Sequence, residues 1–376
     1  MATAGKPITC RAAVVWEVGQ QYSIEKVEVD VPKKGEVRVR MTSAGLCHSD
    51  VHMQHGSDKN WSFPTVLGHE GAGIIESLGE GVDRFEKGDI VVCTFEAYCR
   101  DCDYCMSPKT NVCRKQPRNN LQMDGTSRIA AKGKKCSQMG SLGLFSEYIV
   151  TSEFNVTKVN PKANPNTLCL AGCCIPTGYG AAMNAGKVTP GSSCAVWGLG
   201  GVGMCVIMGC RDSGASKIIG IDPNAKKFEL AKQFGATDFL NPKEVKSVPE
   251  TLAQMCKDGV DYCFVSVGIL SAMEEAFNSS HPYWGKTVIV GLNDTGSTMK
   301  AGVWELLYGR QLVGTYYGSY TAVRDIPHLV DKVLNGQIQL DKLISHRLPL
   351  DKINEGFDLL RTGQSLRAII DFDIKA

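Results

Sequence analysis

The chain has no long apolar run, no excess of charge of one sign and no low-complexity segment. Nowhere in its 376 residues do roughly 18 apolar residues follow one another, as a membrane span requires. The opening segment MATAGKPITCRAAVVWEVGQ lacks the apolar core of a signal peptide. The 41 basic and 39 acidic residues leave a net charge of +2 and form no basic stripe, which does not favour nucleic acid or a membrane surface as a partner. We therefore expect a cytoplasmic protein that acts on neither.

Cysteine, by contrast, is abundant. Sixteen cysteines are spread along the chain. In a small secreted domain this number would indicate a disulfide framework, but this chain is large and shows no signal peptide. We expect these thiols to bind metal, to take part in catalysis or to fill the core.

The hydrophobic pattern changes along the chain, and the length predicts two or three domains. The first third contains short, partly alternating, β-branched runs separated by turns, which predicts a β-rich lobe. From residue 190 onwards six short apolar runs follow, with segments of helical character between them. This alternation predicts an α/β domain with a parallel sheet covered on both faces. The tail carries two amphipathic helices and a final strand, which we expect to return to the β-rich lobe.

A glycine-rich turn follows the first of these apolar runs. In SSCAVWGLGGVGMCVIMG, Gly198, Gly200 and Gly203 form G-x-G-x-x-G between a buried strand and a helix. Such glycines let the backbone approach a pyrophosphate at the helix N-terminus, although glycine-rich turns also occur for purely structural reasons. Asp222 ends the next predicted strand, where a carboxylate would accept from the adenosine ribose and repel the 2′-phosphate of NADP. We therefore predict that this domain binds NAD. The alternative role for Asp222 is to form a turn or to cap a helix. Lys227 either reaches the same ribose or is a solvated lysine on a helix.

Four cysteines lie close together in CRDCDYCMSPKTNVC. Cys99, Cys102, Cys105 and Cys113 follow the pattern C-x2-C-x2-C-x7-C, which allows one short loop to surround an ion. Four thiolates are a ligand set of tetrahedral structural zinc, with no position left open for substrate. Iron–sulfur clusters also use four thiolates, with related but different spacings. We predict a structural zinc that holds this loop together.

A second group of candidate ligands is dispersed along the chain. A catalytic zinc needs three protein ligands and one open position. The candidates are Cys47 in AGLCHSDVHMQHG, His69 in VLGHEGAGI, and either Cys173 or Cys174 in LAGCCIPTGYG. The residues alone do not distinguish the two adjacent cysteines.

Together these motifs resemble the zinc-dependent medium-chain alcohol dehydrogenases of the long-chain dimeric type, near the class I and class III animal enzymes. The resemblance covers essentially the whole chain and rests on AGLCHSD, LGHEGAGIIESLGEGV, the four-cysteine loop, DGTSR, CLAGC, TGYGAA, GLGGVGMCVIMGC and INEGFDLLRTGQSLR. It implies a GroES-like, β-rich catalytic domain in residues 1–176 and 317–376, and a Rossmann NAD-binding domain in residues 177–316. It also implies two zinc ions per subunit, one structural and one catalytic.

The resemblance implies roles around the catalytic zinc. Its ligands would be Cys47, His69 and Cys173, because the family pattern has Gly-Cys before three variable residues and TGYG. Asp50 would hydrogen-bond the far nitrogen of His69 and fix its tautomer, and Glu70 would lie behind the zinc.

The resemblance also implies a proton path and a cofactor site. Ser49, a ribose hydroxyl of the cofactor and His52 would carry the proton of the alcohol to solvent. His48 stands where several family members have an arginine against the pyrophosphate, so we expect looser cofactor binding, whereas His55 is interpreted as a surface residue. The residues expected to contact NAD are His48, Thr177, Gly198, Gly200, Gly201, Val202, Gly203, Asp222, Lys227, Val290, Leu292 and Arg367.

The implied reaction is reversible hydride transfer between primary or secondary alcohols and NAD, giving aldehydes or ketones and NADH. Phe95 and Tyr316 would line an apolar alcohol pocket. The alternative is an S-(hydroxymethyl)glutathione (formaldehyde) dehydrogenase, for which Asp58 stands at a matching position. The arginine that this class uses for the glutathione carboxylate does not align, because Pro117 falls at the counted position with Arg118 beside it.

The assembly is a further expectation. The long segment 119–143 is similar to that of the dimeric branch of the family. We therefore expect a homodimer paired through the cofactor domains. A non-enzymatic zinc- or NAD-binding protein is a remaining alternative, which zinc content would distinguish.

Overall fold

The computed structural model describes residues 5–57 and 61–374. Contacts within the chain divide it into two compact units, one formed by Met1–Cys173 and Thr321–Ala376 and the other by Cys174–Tyr320. The expected cofactor domain, 177–316, lies a few residues inside the second unit at each end. Asp58 lies outside the described residues.

The described residues form the following strands and α-helices, numbered in chain order. The strands are β1 (Ile8–Val15), β2 (Ser23–Val29), β3 (Glu36–Gly45), β4 (Thr65–Val66), β5 (Glu70–Leu78), β6 (Ile90–Thr94), β7 (Ile129–Ala131), β8 (Lys134–Lys135), β9 (Ser137–Gln138), β10 (Tyr148–Ser152), β11 (Val156–Lys158), β12 (Ser193–Trp197), β13 (Lys217–Ile221), β14 (Asp238–Leu240), β15 (Tyr262–Val265), β16 (Lys286–Ile289), β17 (Gln311–Gly314), β18 (His346–Leu348) and β19 (Ala368–Asp371). The helices are α1 (His48–Gln54), α2 (Cys174–Gly180), α3 (Gly201–Asp212), α4 (Phe228–Phe234), α5 (Val248–Met255), α6 (Leu270–Ser279), α7 (Val303–Tyr308), α8 (Ala322–Leu334), α9 (Leu340–Leu343) and α10 (Ile353–Arg361).

The first unit contains two sheets. One has the strand order β8-β7-β2-β1-β4-β9, and the other has the order β11-β6-β5-β3-β19-β18 with β10 also paired to β3. Strand β3 is buried along almost its whole length because β5, β10 and β19 all pair with it. This central strand ends at Gly45, so its carboxyl end delivers the chain to the candidate site.

The tail returns to the first unit, as its pattern predicts. Strand β19 pairs antiparallel with β3, with Ile369 opposite Gly45. Helix α10 buries Ile353, Gly356, Phe357 and Leu360, the i, i+3, i+4, i+7 face of an amphipathic helix. The three-residue strand β18 beside β19 was not predicted, since a run so short has no detectable period.

The second unit is a parallel sheet in the order β14-β13-β12-β15-β16-β17, which confirms the predicted α/β architecture. The six strands are those that the apolar runs predict, and helices α3 to α7 lie between them in the chain. The strand order reverses direction between β12 and β15, and in such sheets ligands bind beyond the carboxyl ends of the strands at this point. Gly198 directly follows β12, so the glycine-rich turn stands at the reversal.

Among the helices of the described residues, none combines the length and the apolar character that crossing a membrane demands.

Candidate active site and metal centres

Antiparallel pairing of β3 and β5 brings Cys47 and His69 together. In this ladder Gly45 lies opposite Glu70, so the residues just beyond the end of β3 and just before the start of β5 are neighbours. Cys47 is the N-cap of α1, and its backbone N–H donates to the Asp50 carboxylate over 3.2 Å. The sheet register and the start of α1 therefore place two candidate ligands side by side, although 21 residues separate them in the chain.

Cys173 joins them from a third segment. The short helical turn 168–172 packs against β5, and Gly172 lies so close that an added Cβ would stand 2.7 Å from the carbonyl oxygen of Cys93. Glycine at this position thus allows the close approach that positions the following cysteine. Ligand atoms of Cys47, His69, Glu70 and Cys173 all lie within 4.8 Å of one another, and all four residues are buried.

Asp50 orients the imidazole of His69. Its Oδ1 lies 3.2 Å from Nδ1 of His69 and accepts a hydrogen bond from the Gly68 N–H over 2.9 Å. Burial raises the pKa of Asp50. Burial lowers the pKa of His69, but the Asp50 carboxylate and the Cys47 sulfur together outweigh burial and raise this pKa well above its ordinary value. With Nδ1 engaged, Nε2 of His69 is the nitrogen left for a ligand.

These residues fit a zinc ion. The Nε2 atom of His69 is buried without a hydrogen-bond partner among the described residues, an arrangement that a metal ligand explains. A hydrogen bond from the Cys173 thiol holds the pKa of Cys47 well below its usual value, and the same bond raises the pKa of Cys173. A cation between the two sulfurs would favour the thiolate form of both.

The structure distinguishes the two adjacent cysteines. Cys173 belongs to the buried ligand cluster. Cys174 begins α2 in the other unit, and its Sγ lies 3.9 Å from Sγ of Cys205 on α3. Cys174 is therefore a packing residue between two helices, and Cys173 is the candidate ligand.

Glu70 and Arg367 form a buried ion pair beside this cluster. Nη1 of Arg367 lies 3.2 Å from Oε1 of Glu70 and donates to the Leu46 carbonyl oxygen over 3.2 Å. Arg367 directly precedes β19, whose pairing with β3 carries it to this position. The contact of Arg367 with a pyrophosphate stays a prediction, whereas its pairing with Glu70 had no signal in the sequence, because the two residues lie 297 positions apart.

The four-cysteine loop brings its thiols together as predicted for one ion. Ligand atoms of Cys99, Cys102, Cys105 and Cys113 lie within 4.8 Å of one another. The Sγ atoms of Cys99 and Cys105 are 3.7 Å apart, and tetrahedral zinc–thiolate bonds of about 2.3 Å separate sulfurs by roughly 3.8 Å. The geometry of the loop therefore fits a tetrahedral zinc.

Glu96 supports this loop and was missed by the sequence analysis. Its Oε1 accepts the Cys113 N–H over 2.7 Å, and its carboxylate binds the Arg118 guanidinium through two hydrogen bonds of 3.0 and 3.1 Å. Glu96 is almost fully buried whereas Arg118 is half exposed. No local pattern singles out Glu96, since its partners lie 17 and 22 residues away.

The candidate proton path lies on α1. Ser49 Oγ is 3.7 Å from the Cys47 sulfur, and both Ser49 and His52 are partly exposed. Nδ1 of His52 lies 3.5 Å from the Ser57 hydroxyl. His48 and His55 are exposed at the two ends of the helix. The helix thus spaces Ser49 and His52 from the buried ligand towards the surface, and their role in proton transfer stays a prediction.

The glycine-rich turn fits a dinucleotide pyrophosphate. Gly198 has φ +88°, which a side chain disfavours, and an added Cβ at Gly203 would collide with the Gly198 carbonyl oxygen. At Gly200 an added Cβ would meet nothing within 4 Å, so this face of the turn is open to a ligand. Helix α3 begins at Gly201 with no side-chain cap, which leaves its first N–H groups for an anion. Val202 follows in this first turn.

Asp222 stands at the carboxyl end of β13 and is buried. Its Oδ2 accepts the Leu199 N–H over 2.9 Å and lies 2.9 Å from Nζ of Lys227. Its Oδ1 accepts the Asn224 N–H, so the predicted turn-forming role is present as well. Asp222 thus connects the glycine-rich turn with the strand end at which the ribose is expected.

The remaining residues predicted to contact the cofactor or the substrate lie in both units. In the second unit Thr177 lies on α2, Val290 and Leu292 follow β16, and Tyr316 follows β17, with Leu292 and Tyr316 exposed. In the first unit the ring of Phe95 meets the ring of His69 edge to face at 5.6 Å. Phe95 is therefore placed at the zinc cluster, and the substrate and cofactor contacts of these residues stay predictions.

Known proteins are similar to the whole chain. Residues 33–161 match the alcohol dehydrogenase GroES-like domain family, and residues 201–335 match the zinc-binding dehydrogenase family. The chain is 44% identical over 377 residues to alcohol dehydrogenase class-3 of Drosophila melanogaster, in an alignment that covers 99% of this chain and 100% of that protein.

Solved structures agree with this assignment. An alcohol dehydrogenase zinc-binding domain protein from Burkholderia ambifaria is 31% identical with a TM-score of 0.91. Benzyl alcohol dehydrogenase from Acinetobacter calcoaceticus is 30% identical with a TM-score of 0.90. Each comparison covers 97% of this chain and 99% of the other. The chain therefore belongs to the zinc-dependent medium-chain alcohol dehydrogenases, a family of oxidoreductases.

Proposed function

We propose that this protein interconverts primary or secondary alcohols and the corresponding aldehydes or ketones, with NAD as the hydride acceptor. The observation that carries the proposal is the buried cluster of Cys47, His69 and Cys173, in which Nε2 of His69 has no hydrogen-bond partner among the described residues. Two cysteines and one histidine are the ligand set of a catalytic zinc with an open position. Zinc bound there supplies a Lewis acid, and NAD bound to the second unit supplies the hydride acceptor.

The chain's own residues prepare the site for an alcohol. Asp50 holds His69 in the tautomer whose Nε2 is free to bind metal. Oxidation of an alcohol releases a proton, which must leave a buried site. Ser49 beside Cys47 and His52 one turn further along α1 provide groups that accept and pass on this proton.

Asp222 supports NAD rather than NADP. Its buried carboxylate lies at the end of β13, where the adenosine ribose is bound in dinucleotide folds. A carboxylate accepts hydrogen bonds from the two ribose hydroxyls and repels a 2′-phosphate. His48 is exposed on α1, and a histidine in place of an arginine favours faster release of NADH.

The substrate class is simple apolar or aromatic alcohols. Phe95 presents an aromatic ring to His69, and Tyr316 and Leu292 are the apolar residues expected on the cofactor side. One of the similar structures is a benzyl alcohol dehydrogenase. The alternative, an S-(hydroxymethyl)glutathione dehydrogenase, is supported by the 44% identity to the class-3 relative. Two observations do not favour this alternative. Pro117, at the position of the arginine expected to bind the glutathione carboxylate, carries no charge. The guanidinium of the neighbouring Arg118 is already bound by Glu96 through two hydrogen bonds.

A screen of NADH formation tests the proposal. The zinc-loaded protein is incubated with NAD and either ethanol, benzyl alcohol, a secondary alcohol or S-hydroxymethylglutathione, and absorbance of NADH is followed. We expect turnover of benzyl and simple alcohols. Turnover of the glutathione adduct alone would establish the alternative, and no turnover with any substrate would contradict the proposed activity.

The proposed assembly is a homodimer formed through the second unit. Strand β17 is the terminal strand of its sheet, and the neighbouring helix α7 exposes Val303, Trp304, Leu307 and Tyr308. Exposed apolar clusters and open strand edges favour association with another chain. A second copy placed with its own β17 against this edge would cover both features at once.

The proposed location is the cytoplasm. All sixteen cysteines are free thiols. Proteins of reducing compartments keep cysteines in this form, whereas secreted proteins pair them.

A further inference from the structure

Two buried side-chain amides, those of Gln116 and Asn155, lie beside the segment that carries Phe95. Gln116 is only 4% exposed, and Asn155 is fully buried. Nδ2 of Asn155 donates to Oε1 of Gln116 over 2.9 Å, although the two residues lie 39 positions apart in the chain. Gln116 belongs to the loop that follows Cys113, and Asn155 directly precedes β11. We call these two side chains the amide pair.

The amide pair holds the backbone on both sides of Phe95. Oε1 of Gln116 accepts the Ala97 N–H over 3.1 Å. Nδ2 of Asn155 donates to the Thr94 carbonyl oxygen over 3.0 Å. Strand β6 ends at Thr94, so these side-chain hydrogen bonds fix the backbone where the strand ladder has ended.

Gln116 also holds a residue that packs on Phe95. Nε2 of Gln116 lies 3.4 Å from the Gly140 carbonyl oxygen and 3.3 Å from the Ser141 hydroxyl, and donates to both. Gly140 lies so close to Phe95 that an added Cβ would stand 3.0 Å from the Cβ of Phe95. One amide therefore joins the segment of Phe95 to the turn that packs against it.

The partners determine how each amide must point. The Ala97 N–H can only donate and the Gly140 carbonyl can only accept, so Oε1 of Gln116 must face the first and Nε2 the second. Asn155 must present Nδ2 to two oxygen atoms, and its Oδ1 is buried without a hydrogen-bond partner among the described residues. A buried acceptor left unsatisfied costs free energy. The amide pair keeps its arrangement despite this cost, which indicates a role beyond filling space.

Phe95 connects the amide pair to the buried ligand cluster. Its ring meets the ring of His69 edge to face, with the centroids 5.6 Å apart. Ligand atoms of His69, Cys47 and Cys173 lie within 4.8 Å of one another. An apolar ring beside this cluster limits the space for a substrate that reaches an open position on the metal, so a displaced ring would change that space.

We propose that Gln116, together with Asn155, is a positioning residue that holds the Phe95 ring beside His69 and thereby sets the preference for aromatic over small alcohols. The inference rests on the proposed alcohol oxidation, since the position of Phe95 affects a substrate only in that reaction. The Gln116 N–H also donates to the Cys113 carbonyl oxygen over 3.3 Å. The same residue therefore connects the four-cysteine loop to the candidate active site.

Steady-state kinetics of Gln116→Met test the proposal, because methionine keeps the length of the side chain and removes its hydrogen bonds. With saturating NAD, we expect the KM of benzyl alcohol to rise about fivefold or more with little change in kcat, and the KM of ethanol to change less than about twofold. In Phe95→Leu, the further change Gln116→Met should leave the ratio of the two kcat/KM values unaltered, since the ring through which Gln116 acts is gone.

Hydrogen exchange gives a readout that does not depend on activity. In Gln116→Met the Ala97 N–H loses its acceptor, so we expect its exchange to be about tenfold faster or more. Asn354→Leu is the control, because it removes two hydrogen bonds between a side-chain amide and the backbone of Tyr22 in the same unit. It should change neither the exchange of residues 94–97 nor the substrate preference.

The outcomes separate this proposal from the proposed function. If the wild type oxidises both alcohols but the ratio is unchanged in Gln116→Met, or changes equally in the Phe95→Leu background, the positioning role is overturned and the proposed function stands. If the wild type oxidises no alcohol, the proposed function fails, and unchanged exchange at Ala97 would overturn the positioning role as well. Asn155→Leu, which removes the bond to the Thr94 carbonyl oxygen, should give the same shifts if Gln116→Met does not fold.

Discussion

Oδ1 of Asp50 lies 3.2 Å from Nδ1 of His69, and both side chains are buried. The same carboxylate accepts the backbone N–H groups of Cys47 and Gly68. One side chain therefore orients the imidazole and the backbone on both sides of the candidate zinc position.

Replacing this carboxylate should weaken zinc binding. In Asp50→Asn the amide keeps one acceptor but loses the charge that favours the Nδ1–H tautomer, so we expect zinc affinity and alcohol oxidation to fall about 10- to 100-fold. Competition with a chelator, followed by metal analysis, measures the affinity. Asp341→Asn, which removes an exposed carboxylate of the same unit outside both ligand clusters, is the control. Unchanged affinity in Asp50→Asn would show that the contact does not support the metal.

The adjacent cysteines should differ in their effect on zinc content. We expect Cys173→Ser to lose one of two zinc ions per chain together with activity, because it removes one of three protein ligands. Cys174→Ser should retain both ions, since this sulfur packs against Cys205. Elemental analysis of the purified variants measures both. Loss of an ion in Cys174→Ser with retention in Cys173→Ser would reverse the assignment.

Removing the imidazole of His52 should slow proton release. We expect His52→Gln to lower the rate of alcohol oxidation about tenfold or more at the acidic end of the pH profile, where solvent accepts protons poorly, and less at alkaline pH. Small amine buffers should restore part of the rate by accepting the proton directly. His55→Gln, at the exposed end of the same helix, is the matched control. Superimposable pH profiles for His52→Gln and wild type would exclude the relay.

The carboxylate of Asp222 should determine the choice of cofactor. Asp222→Asn removes the charge that repels a 2′-phosphate and leaves Lys227 without its carboxylate partner. We expect the ratio of kcat/KM for NAD to that for NADP to fall about 10- to 100-fold. Asp238→Asn, which removes a charge on β14 in the same unit, should leave the ratio unchanged. A ratio unaltered in Asp222→Asn would refute the ribose contact.

Charges introduced on α7 should dissociate the proposed dimer. In the double variant Trp304→Asp and Leu307→Asp, two exposed apolar side chains are lost, each worth about 1.5–3 kcal/mol when buried. We expect sedimentation velocity to show monomers at concentrations at which the wild type is dimeric. Val18→Asp, at an exposed apolar residue of the first unit, should not change the sedimentation coefficient. A wild-type monomer would contradict the proposed assembly at once.

Much of the fold was predictable because it depends on local pattern. The six strands of the second unit are short apolar runs separated by helical segments, and the glycine-rich turn lies within one continuous segment. The four-cysteine site could likewise be predicted from the sequence, because a single loop supplies all its ligands. Strand β18 was not predicted, because three residues are too few to show a hydrophobic period. Glu96 was not predicted either, because only the folded loop brings its hydrogen-bond partners close to it.

By itself, the sequence determined the α/β class of the second unit, the β-rich character of the first, the cysteine loop and the turn for a dinucleotide. Each of these features depends on a pattern within a short segment: the period of hydrophobic residues, the spacing of glycines or the spacing of metal ligands. For the third ligand the residues alone left Cys173 and Cys174 open and the family pattern implied Cys173, and the tertiary structure places Cys173 beside Cys47 and His69. Only the tertiary structure decided that Arg367 pairs with Glu70. The physical reason is the register of β3 with β5 and β19, which brings distant segments to one end of a sheet, and no local pattern encodes that register.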